Sequence, residues 1–406
     1  MPSATYRATA FVEAARRLGI QLSVASERPS TFERAQPSGL LTLDFSDPER
    51  AASQAVTFAR EYPIDGVLGV DDDTSVLAAA IAARLGLRGN SVPAAVRARD
   101  KLEQRIWLER AGVRVPGFAA HPVAADAEQL GAMVRYPVVL KPLRLAASRG
   151  VIRANAPGDF VAAWDRVRAI LAEPDVAACG AAARQILVED FISGRETAVE
   201  GLLRGGLLQV FAIFDKPDPL EGPFFEETIY VTPSRLEHDV QREIERTVQA
   251  AARALELTEG AVHAELRCND AGVWLIELAA RPIGGRCSSA LRFDVGGNGE
   301  ATLEEILIRH AVGESLPAVR REDQASGVMM IPVPGSGVLR EVRGIDAARG
   351  VPLVSALEIT AHKGERLVPW PEGARYPGFI FARGAQPAAV EAALRAAHAR
   401  LDFILE

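Results

Sequence analysis

The stretch from residue 261 to 286, AVHAELRCNDAGVWLIELAARPIGGR, constrains the fold of this chain more than any other segment. Apolar and polar residues alternate from Val262 to Arg267, which predicts a β-strand with Glu265 on its polar face. Residues 268–272 are typical of a turn, and the apolar residues after them predict a second strand. Folding back at this turn brings Glu277 opposite Glu265. The segment therefore predicts a β-hairpin with two facing carboxylates.

Two carboxylates in near contact repel each other and shift each other's pKa, so such a pair usually holds a divalent cation. Hard oxygen ligands indicate magnesium, which enters together with phosphate groups. The alternative is a solvated hairpin that carries two unrelated surface acids. His263 shares the face of Glu265 and either orients a ligand or, as the favoured interpretation, supports a ligand through a hydrogen bond.

The composition points to small-molecule ligands. The chain has 406 residues, of which 48% are hydrophobic, and this is enough for two to four domains with well-formed cores. A net charge of -7 without long like-charge runs argues against nucleic acid or an anionic membrane as partner. Three cysteines without CxxC spacing imply neither a disulfide framework nor a zinc site, which fits a reducing cytoplasm. We expect no membrane span and no secretory signal.

The first 95 residues predict an α/β domain that is Rossmann-like only in arrangement, because no GxGxxG follows any of its strands. Such a domain normally opens with a strand, so we expect either a shortened start or another segment at that edge. Asp71 to Asp73 follow a predicted strand and either bind a ligand or, as the favoured interpretation, cap a helix. The predicted elements are helices at 8–18, 48–61 and 74–85 and strands at 21–25 and 66–70.

Two lysines and a loop suggest phosphate binding. Lys101 lies near the start of a predicted helix, and Lys141 ends a predicted strand at 136–142. The loop at 143–151 contains Ser148-Arg149-Gly150, and a loop of this kind brings backbone N–H groups close to phosphate oxygens. A lysine considered alone is more often a solvated surface residue. Lys141 is the stronger candidate, because it stands between an apolar strand and a proline.

The order of these parts resembles that of the ATP-grasp carboxylate-amine ligases, and most closely the L-amino acid ligases. The resemblance is carried by VEDFISGRE at 188–196, by HAEL and IELAARPIGG in the hairpin, and by GERLVPWPEGARYPGFIFARG at 364–384. It implies an α/β ATP-grasp fold with an N-terminal Rossmann-like parallel-sheet domain and a small C-terminal α+β domain. The implied domains are 1–95, 96–312 with a lid subdomain at about 115–188, and 313–406.

The resemblance also implies roles for single residues. The two lysines hold ATP phosphates, the loop closes over them, the hinge at 189–192 reads adenine through its backbone, and Glu196 bonds the ribose. Glu265 and Glu277 bind magnesium, and Arg281 holds the transferred phosphate and acts in catalysis with Lys141. Ala279 occupies a place where many ATP-grasp enzymes carry asparagine, which leaves the number of metals open. The implied ATP contacts are Lys101, Lys141, Ser148, Arg149, Glu189, Asp190, Phe191, Ile192 and Glu196.

Substrate contacts are the least constrained expectation. By resemblance, Glu227 rather than Glu226 meets the amino group of a first amino acid, with a solvated loop acid as an equal alternative. Gly285 and Arg286 are candidates for the second substrate, as is Arg292, because arginine binds carboxylates bidentately. Either arginine also fits a structural ion pair.

The activity that the resemblance implies is ADP-forming ligation of two amino acids, or of an amino acid and a related amine, through an acyl phosphate. The implied cofactors are ATP and Mg²⁺, with Mn²⁺ as a substitute for Mg²⁺. The resemblance leaves open whether the chain forms a homodimer. The alternatives are ligation of a carboxylic acid without an amino group and a nucleotide-binding protein with a degenerate site.

Overall fold

The computed structural model describes residues 1, 7–30, 33, 36–297 and 299–406. Within these residues, no helix is both long and apolar enough to cross a membrane. Cys179, Cys268 and Cys287 are all free thiols, as their spacing predicts. The architecture has an N-terminal α/β region, a small four-stranded lid sheet, and a large central sheet that the C-terminal region extends.

The N-terminal region consists mainly of alanine-rich helices that pack around a two-stranded parallel sheet, in which Val24 pairs with Leu40. The predicted helix over 8–18 is confirmed at both ends. The predicted strand over 66–70 is wrong, since this segment forms no ladder, and at Gly66 it packs close to the backbone of Ala311. The elements are α1 (Ala8–Leu18), β1 (Val24–Ser26), β2 (Leu40–Thr42), α2 (Pro48–Ala59), α3 (Asp72–Leu85), α4 (Val92–Arg99) and α5 (Lys101–Arg110).

The lid subdomain is an antiparallel sheet in the order β3-β6-β4-β5, covered by helices whose core is built on Phe160 and Trp164. All five residues of β4 are buried, because this strand lies inside the sheet with its apolar side chains under a helix. The elements are β3 (Phe118–Pro122), α6 (Ala127–Met133), β4 (Val138–Pro142), β5 (Ile152–Ala154), α7 (Pro157–Leu171), α8 (Pro174–Ala177) and β6 (Gln185–Asp190).

The central sheet has eight antiparallel strands in the order β11-β10-β7-β8-β9-β15-β19-β17. Three of its eight strands lie after residue 312, so the sheet extends past the predicted boundary of the C-terminal domain. Helix α9 covers one part of it through Ile244 and Val248, which are fully buried. The elements before the boundary are β7 (Arg195–Arg204), β8 (Leu207–Asp215), β9 (Ile229–Thr232), α9 (His238–Ala254), β10 (Gly260–Asn269), β11 (Gly272–Ala279), β12 (Phe293–Val295), β13 (Glu300–Ala301) and α10 (Leu303–Ala311).

The C-terminal region combines strands of the central sheet with a helix that packs on it through Val390 and Leu394, both fully buried. The predicted strands near 327–332 and 379–383 and the predicted helix from Pro387 are confirmed. The elements are β14 (Val319–Arg321), β15 (Ala325–Met330), β16 (Gly337–Arg343), α11 (Ile345–Arg349), β17 (Val354–Ile359), β18 (Arg366–Leu367), β19 (Gly378–Gly384), α12 (Pro387–His398) and β20 (Asp402–Leu405).

Candidate active site

A cavity of about 990 Å³ lies where the lid subdomain, the central sheet and the N-terminal and C-terminal regions meet. Its size suits a nucleotide together with small substrates. All the residues predicted for ATP or metal contact line this cavity. Of the substrate candidates, Arg286 and Arg292 do not. The predicted residues on its wall are Lys101, Lys141, Ser148, Arg149, Glu189, Asp190, Phe191, Ile192, Glu196, Glu227, Glu265, Glu277, Arg281 and Gly285.

Strands β10 and β11 form the predicted hairpin, and Glu265 pairs directly with Glu277 in their register. The alternating apolar residues of β10 are buried on the opposite face, as with Ala264 and Leu266, so the two acids face the cavity. Lys101, the first residue of α5, reaches across to place its Nζ 3.1 Å from the Glu277 carboxylate. The hairpin prediction is confirmed, and its two carboxylates share the cavity with a lysine.

Three carboxylates surround the buried ammonium of Lys216, which follows β8. We call Glu196, Glu227, Glu265 and Lys216 the carboxylate cluster. The Lys216 Nζ lies 2.8 Å from Glu196 and 3.1 Å from Glu265, and it also donates to Glu227. One oxygen from each of the three acids lies within 4.8 Å of the others, a spacing that suits a cation.

Within the carboxylate cluster, the pKa values of Glu227 and Glu265 are shifted in opposite directions. Burial and the nearby Glu265 carboxylate raise the pKa of Glu227 to about 8, against the opposing effect of Lys216. Burial also acts to raise the pKa of Glu265, but the Lys216 ammonium holds it well below its ordinary value. Glu265 is therefore the ionised member of this pair, which suits a metal ligand.

A second buried group of charges contributes Lys141 and Glu189 to the cavity wall. We call Arg105, Lys141 and Glu189 the Glu189 cluster. Arg105 Nε and Lys141 Nζ each lie 2.6 Å from the Glu189 carboxylate, and no more than about 7% of any of the three side chains is exposed. Burial lowers the pKa of the Lys141 ammonium although Glu189 opposes it. Two cations thus compete for one carboxylate beside the cavity.

The hinge follows Glu189 directly. The Asp190 N–H donates to the Gly117 carbonyl at 2.8 Å, and the Phe191 N–H donates to the Pro137 carbonyl at 3.1 Å. These two amides are therefore engaged within the protein. The Ile192 carbonyl accepts from Arg267, whose guanidinium also lies 2.8 Å from Glu196. The hinge is thereby fixed to the carboxylate cluster.

The loop over residues 143–151, here called the lid loop, is held by the C-terminal region. The Trp370 Nε1–H donates to the Ala147 carbonyl at 2.7 Å, and the Gly150 N–H donates to the Pro371 carbonyl at 2.9 Å. Ala147 itself has a φ of 54°, in the left-handed region that favours glycine. Tertiary contacts, rather than local preference, therefore hold this loop in shape.

Arg149 lies in the lid loop and is one of the predicted ATP contacts. Its guanidinium lies 2.5 Å from Glu173 and 3.1 Å from Asp175, so its ion pairs stay within the lid subdomain. An ion pair between Arg166 and Glu372, at 2.5 Å, joins the lid subdomain to the C-terminal region. Ser148 and Arg149 nevertheless both line the cavity.

The N-terminal region contributes an acid to the site. Asp71 caps α3, because the Thr74 hydroxyl donates to its carboxylate at 2.9 Å, as the favoured interpretation of this acidic run predicts. Asp72 has a different role, since the Arg281 Nε lies 3.0 Å from its carboxylate. Burial acts to raise the pKa of Asp72, but Arg281 and Lys101 hold it below its ordinary value. Arg281 is thus held between the N-terminal region and the hairpin.

The candidates for substrate contact separate clearly. Gly285 lines the cavity at a φ of 57°, and a Cβ there would lie 2.2 Å from the Met330 sulfur, so only glycine fits. Arg286 is not on the cavity wall and forms an ion pair with Glu358 on β17.

Two other candidates also have structural partners. Arg292 lies 2.8 Å from Glu300, the structural ion pair left open by the sequence. Glu226 accepts from the Val333 N–H at 2.8 Å, whereas its neighbour Glu227 lines the cavity.

Comparison with known proteins identifies this arrangement. The model of the ATP-grasp domain matches residues 134–290, that of the ATP-grasp N-terminal domain matches 12–89, and that of the L-amino acid ligase C-terminal domain 2 matches 329–406. A solved L-amino acid ligase from Bacillus licheniformis superimposes with a TM-score of 0.83 at 26% identity, covering 98% of this chain and 96% of that one. The chain belongs to the ATP-grasp family, in its L-amino acid ligase group. The predicted fold class is thereby confirmed.

Curated relatives of this ATP-grasp protein include ligases that are longer than it is. Alanine–anticapsin ligase from Bacillus subtilis is 30% identical over 248 residues, which are 57% of this chain and 52% of the relative. Human carnosine synthase 1 is 30% identical over 288 residues, 66% of this chain and 34% of the relative. The chain thus spans about half the length of alanine–anticapsin ligase and about a third of the length of carnosine synthase 1.

Sequence reasoning on this ATP-grasp protein missed two central residues. Lys216 is only 7% exposed. The sequence indicated it in the same way as Lys141, because Lys216 also stands at the end of an apolar strand and before a proline. For Asp72 the sequence favoured a helix cap over ligand binding, because nothing local indicates that Arg281 approaches it from 209 residues away. The carboxylate oxygens of Glu265 and Glu277 are suitable ligands for the divalent cation that accompanies ATP in this family.

Proposed function

We propose that this ATP-grasp protein is an ADP-forming ligase that joins two amino acids, or an amino acid and a related amine. The observation that carries the proposal is the shared cavity, which paired Glu265 and Glu277 line together with Lys101, Arg281 and Lys141. Oxygen ligands beside phosphate-binding cations are the arrangement that phosphoryl transfer needs. Similarity to peptide-forming ligases supports the same reaction class.

The proposed binding roles follow from charge. Lys101 and Lys141 attract the ATP phosphates, and the backbone of the lid loop covers them. The hinge at 189–192 reads the adenine and Glu196 bonds the ribose. Glu265 and Glu277 would hold Mg²⁺, with Mn²⁺ as a substitute, and the bound ion would neutralise charge on the transferring phosphoryl group.

Amide formation requires an activated carboxylate. Transfer of the γ-phosphoryl group to a substrate carboxylate gives an acyl phosphate, in which phosphate is the leaving group. Attack by an amine then forms the amide and releases phosphate. Arg281, held by Asp72 at 3.0 Å, stabilises the negative charge of the tetrahedral intermediate and the departing phosphate. Closure of the lid loop keeps water from hydrolysing the acyl phosphate.

Amino acids are the proposed substrates. The Glu227 carboxylate meets the amino group of the first amino acid, and Gly285 lies on the cavity wall against Met330, where its backbone is open to a substrate. Arg286 stays a candidate for the carboxylate of the second substrate only if it leaves Glu358. We place the enzyme in the cytoplasm. Whether it forms a homodimer is left open.

The test is release of ADP and phosphate across a matrix of amino acid pairs, with products identified by mass spectrometry. We expect turnover that depends on Mg²⁺ and on both substrates, with an amide product. Turnover only with carboxylic acids that lack an amino group would replace the amino acid proposal by the alternative ligase. Nucleotide binding without turnover for any pair would support a degenerate, sensing protein instead.

A further inference from the structure

His263 occupies a distinctive place on the hairpin. It lies two residues before Glu265 on the same face of β10, is only 6% exposed, and lines the cavity. Its partner in the β10–β11 register is Ala279, directly across the ladder. Ala279 has no side-chain ligand atom. On this face of β10, His263 is therefore the side chain next to Glu265 that carries a further ligand atom.

The orientation of the His263 ring follows from its hydrogen bond. Its Nδ1 lies 3.2 Å from the Val199 carbonyl oxygen, and a carbonyl accepts only from an N–H. The neutral ring therefore carries its proton on Nδ1 and its lone pair on Nε2. Metal-ligating histidines typically have this second hydrogen bond, which fixes the tautomer and the direction of the free nitrogen.

The His263 Nε2 faces an acid. It lies 3.6 Å from the Glu265 Oε1, which is longer than a good hydrogen bond. Lys216 is 3.1 Å from the same oxygen and already compensates its charge. A nitrogen lone pair and a carboxylate oxygen on neighbouring positions of one strand face form a ligand pair for a cation.

We propose that His263 Nε2 is a direct protein ligand of the divalent cation at the hairpin, together with Glu265. This inference rests on the proposed function, because the cation enters with the nucleotide. It assigns His263 to metal binding rather than to support of another ligand. An imidazole ligand strengthens binding of first-row transition metals more than of Mg²⁺, so Mn²⁺ binds more tightly than it would at carboxylates alone.

The test uses Mn²⁺ with ADP on the full chain and reads out coordination rather than turnover. Pulsed electron paramagnetic resonance of the bound Mn²⁺ detects a directly bound nitrogen through its hyperfine coupling. We expect a ¹⁴N coupling that changes to ¹⁵N when the protein is labelled with ¹⁵N-histidine. This measurement on the unaltered sequence needs no variant to fold. A Mn²⁺–ADP complex without histidine coupling would overturn the inference and leave the proposed function standing.

Variants locate the nitrogen. His263→Ala should abolish the coupling and weaken Mn²⁺ binding about tenfold or more, with a smaller loss for Mg²⁺. His310→Ala is the matched control, because His310 is also buried, at 2% exposed, but lines a different pocket. Persistence of the coupling in folded His263→Ala would overturn the assignment. Failure of the wild-type chain to bind Mn²⁺ and ADP at all would overturn both this inference and the proposed function.

Discussion

Two charged clusters beside the cavity differ in net sign, and we call the Glu189 cluster its positive end and the carboxylate cluster its metal end. In the Glu189 cluster, two cations share one carboxylate, whereas in the carboxylate cluster three acids surround one lysine. Both ends are buried, so each charge acts through a low dielectric and is weakly screened. The surplus positive charge attracts phosphate, and the surplus negative charge attracts a metal cation. One cavity can thus bind a metal–nucleotide complex through two clusters of opposite net charge, one for the phosphates and one for the metal.

Changing Glu277, the proposed metal ligand opposite Glu265 on the hairpin, should have the largest effect. We expect Glu277→Gln to lower turnover about 10³-fold, because the change removes a proposed metal ligand while it keeps the shape of the side chain. Steady-state ADP release at several Mg²⁺ concentrations measures this loss. Glu226→Gln is the control, since Glu226 accepts from the Val333 N–H outside the cavity. A folded Glu277→Gln variant with wild-type turnover would remove Glu277 from the site.

Breaking the positive end should weaken nucleotide binding more than it slows chemistry. We expect Lys141→Met to raise the KM for ATP about 10–100-fold, since it removes a charge-assisted contact to phosphate. The free energy of unfolding should fall by roughly 2–4 kcal/mol, because Glu189 keeps only Arg105 as its ion-pair partner. Nucleotide titration and urea unfolding measure the two effects. An unchanged KM for ATP would show that this lysine serves stability alone.

These two ends also show what the sequence can and cannot predict. Glu265 and Glu277 were predictable because a turn of local sequence brings them together, and the periodicity of β10 fixes their face. Lys141 was predictable because its strand and the following proline lie beside it in sequence. Local patterns thus identified the strands and the residues that act on them.

Long-range partners were not predictable in the same way. The Asp72–Arg281 pair spans 209 residues, and the Trp370–Ala147 hydrogen bond spans 223, so only the packed fold brings them together. Local reasoning also made an error at 66–70, where an apolar run packs against α10 instead of joining a sheet. Such a run is compatible with either environment, because apolar character does not encode the neighbour.

The pKa of Glu227, raised to about 8, predicts a moderate pH effect on stability. A carboxyl with a raised folded pKa contributes stability below its unfolded pKa and loses that contribution as the pH rises through the folded pKa. Between about pH 5.5 and 8, wild-type stability should therefore fall relative to Glu227→Gln, by at most about 1.4 kcal/mol per pH unit. Urea unfolding without metal or nucleotide measures it. Parallel pH profiles would contradict a protonated Glu227.

The smallest effect should come from the lid loop, which begins two residues after Lys141 and belongs to the positive end. Trp370→Phe removes the Nε1–H donor to the Ala147 carbonyl but keeps a buried aromatic ring. One hydrogen bond of about 1 kcal/mol corresponds to roughly a fivefold shift of the loop toward open forms. Open forms admit water, so the ratio of ATP hydrolysed to amide formed should rise by about this factor.

Trp274→Phe provides the matched comparison. Its indole Nε1–H donates to Asn269 at 3.2 Å at the turn of the hairpin, so the same chemical change is made away from the lid loop. We expect this variant to keep the wild-type ratio of hydrolysis to ligation. Equal ratios in the two variants would show that the contact between the C-terminal region and the lid loop does not control water. A rise in Trp370→Phe alone would show that the positive end needs the C-terminal region to retain its phosphates in a dry site.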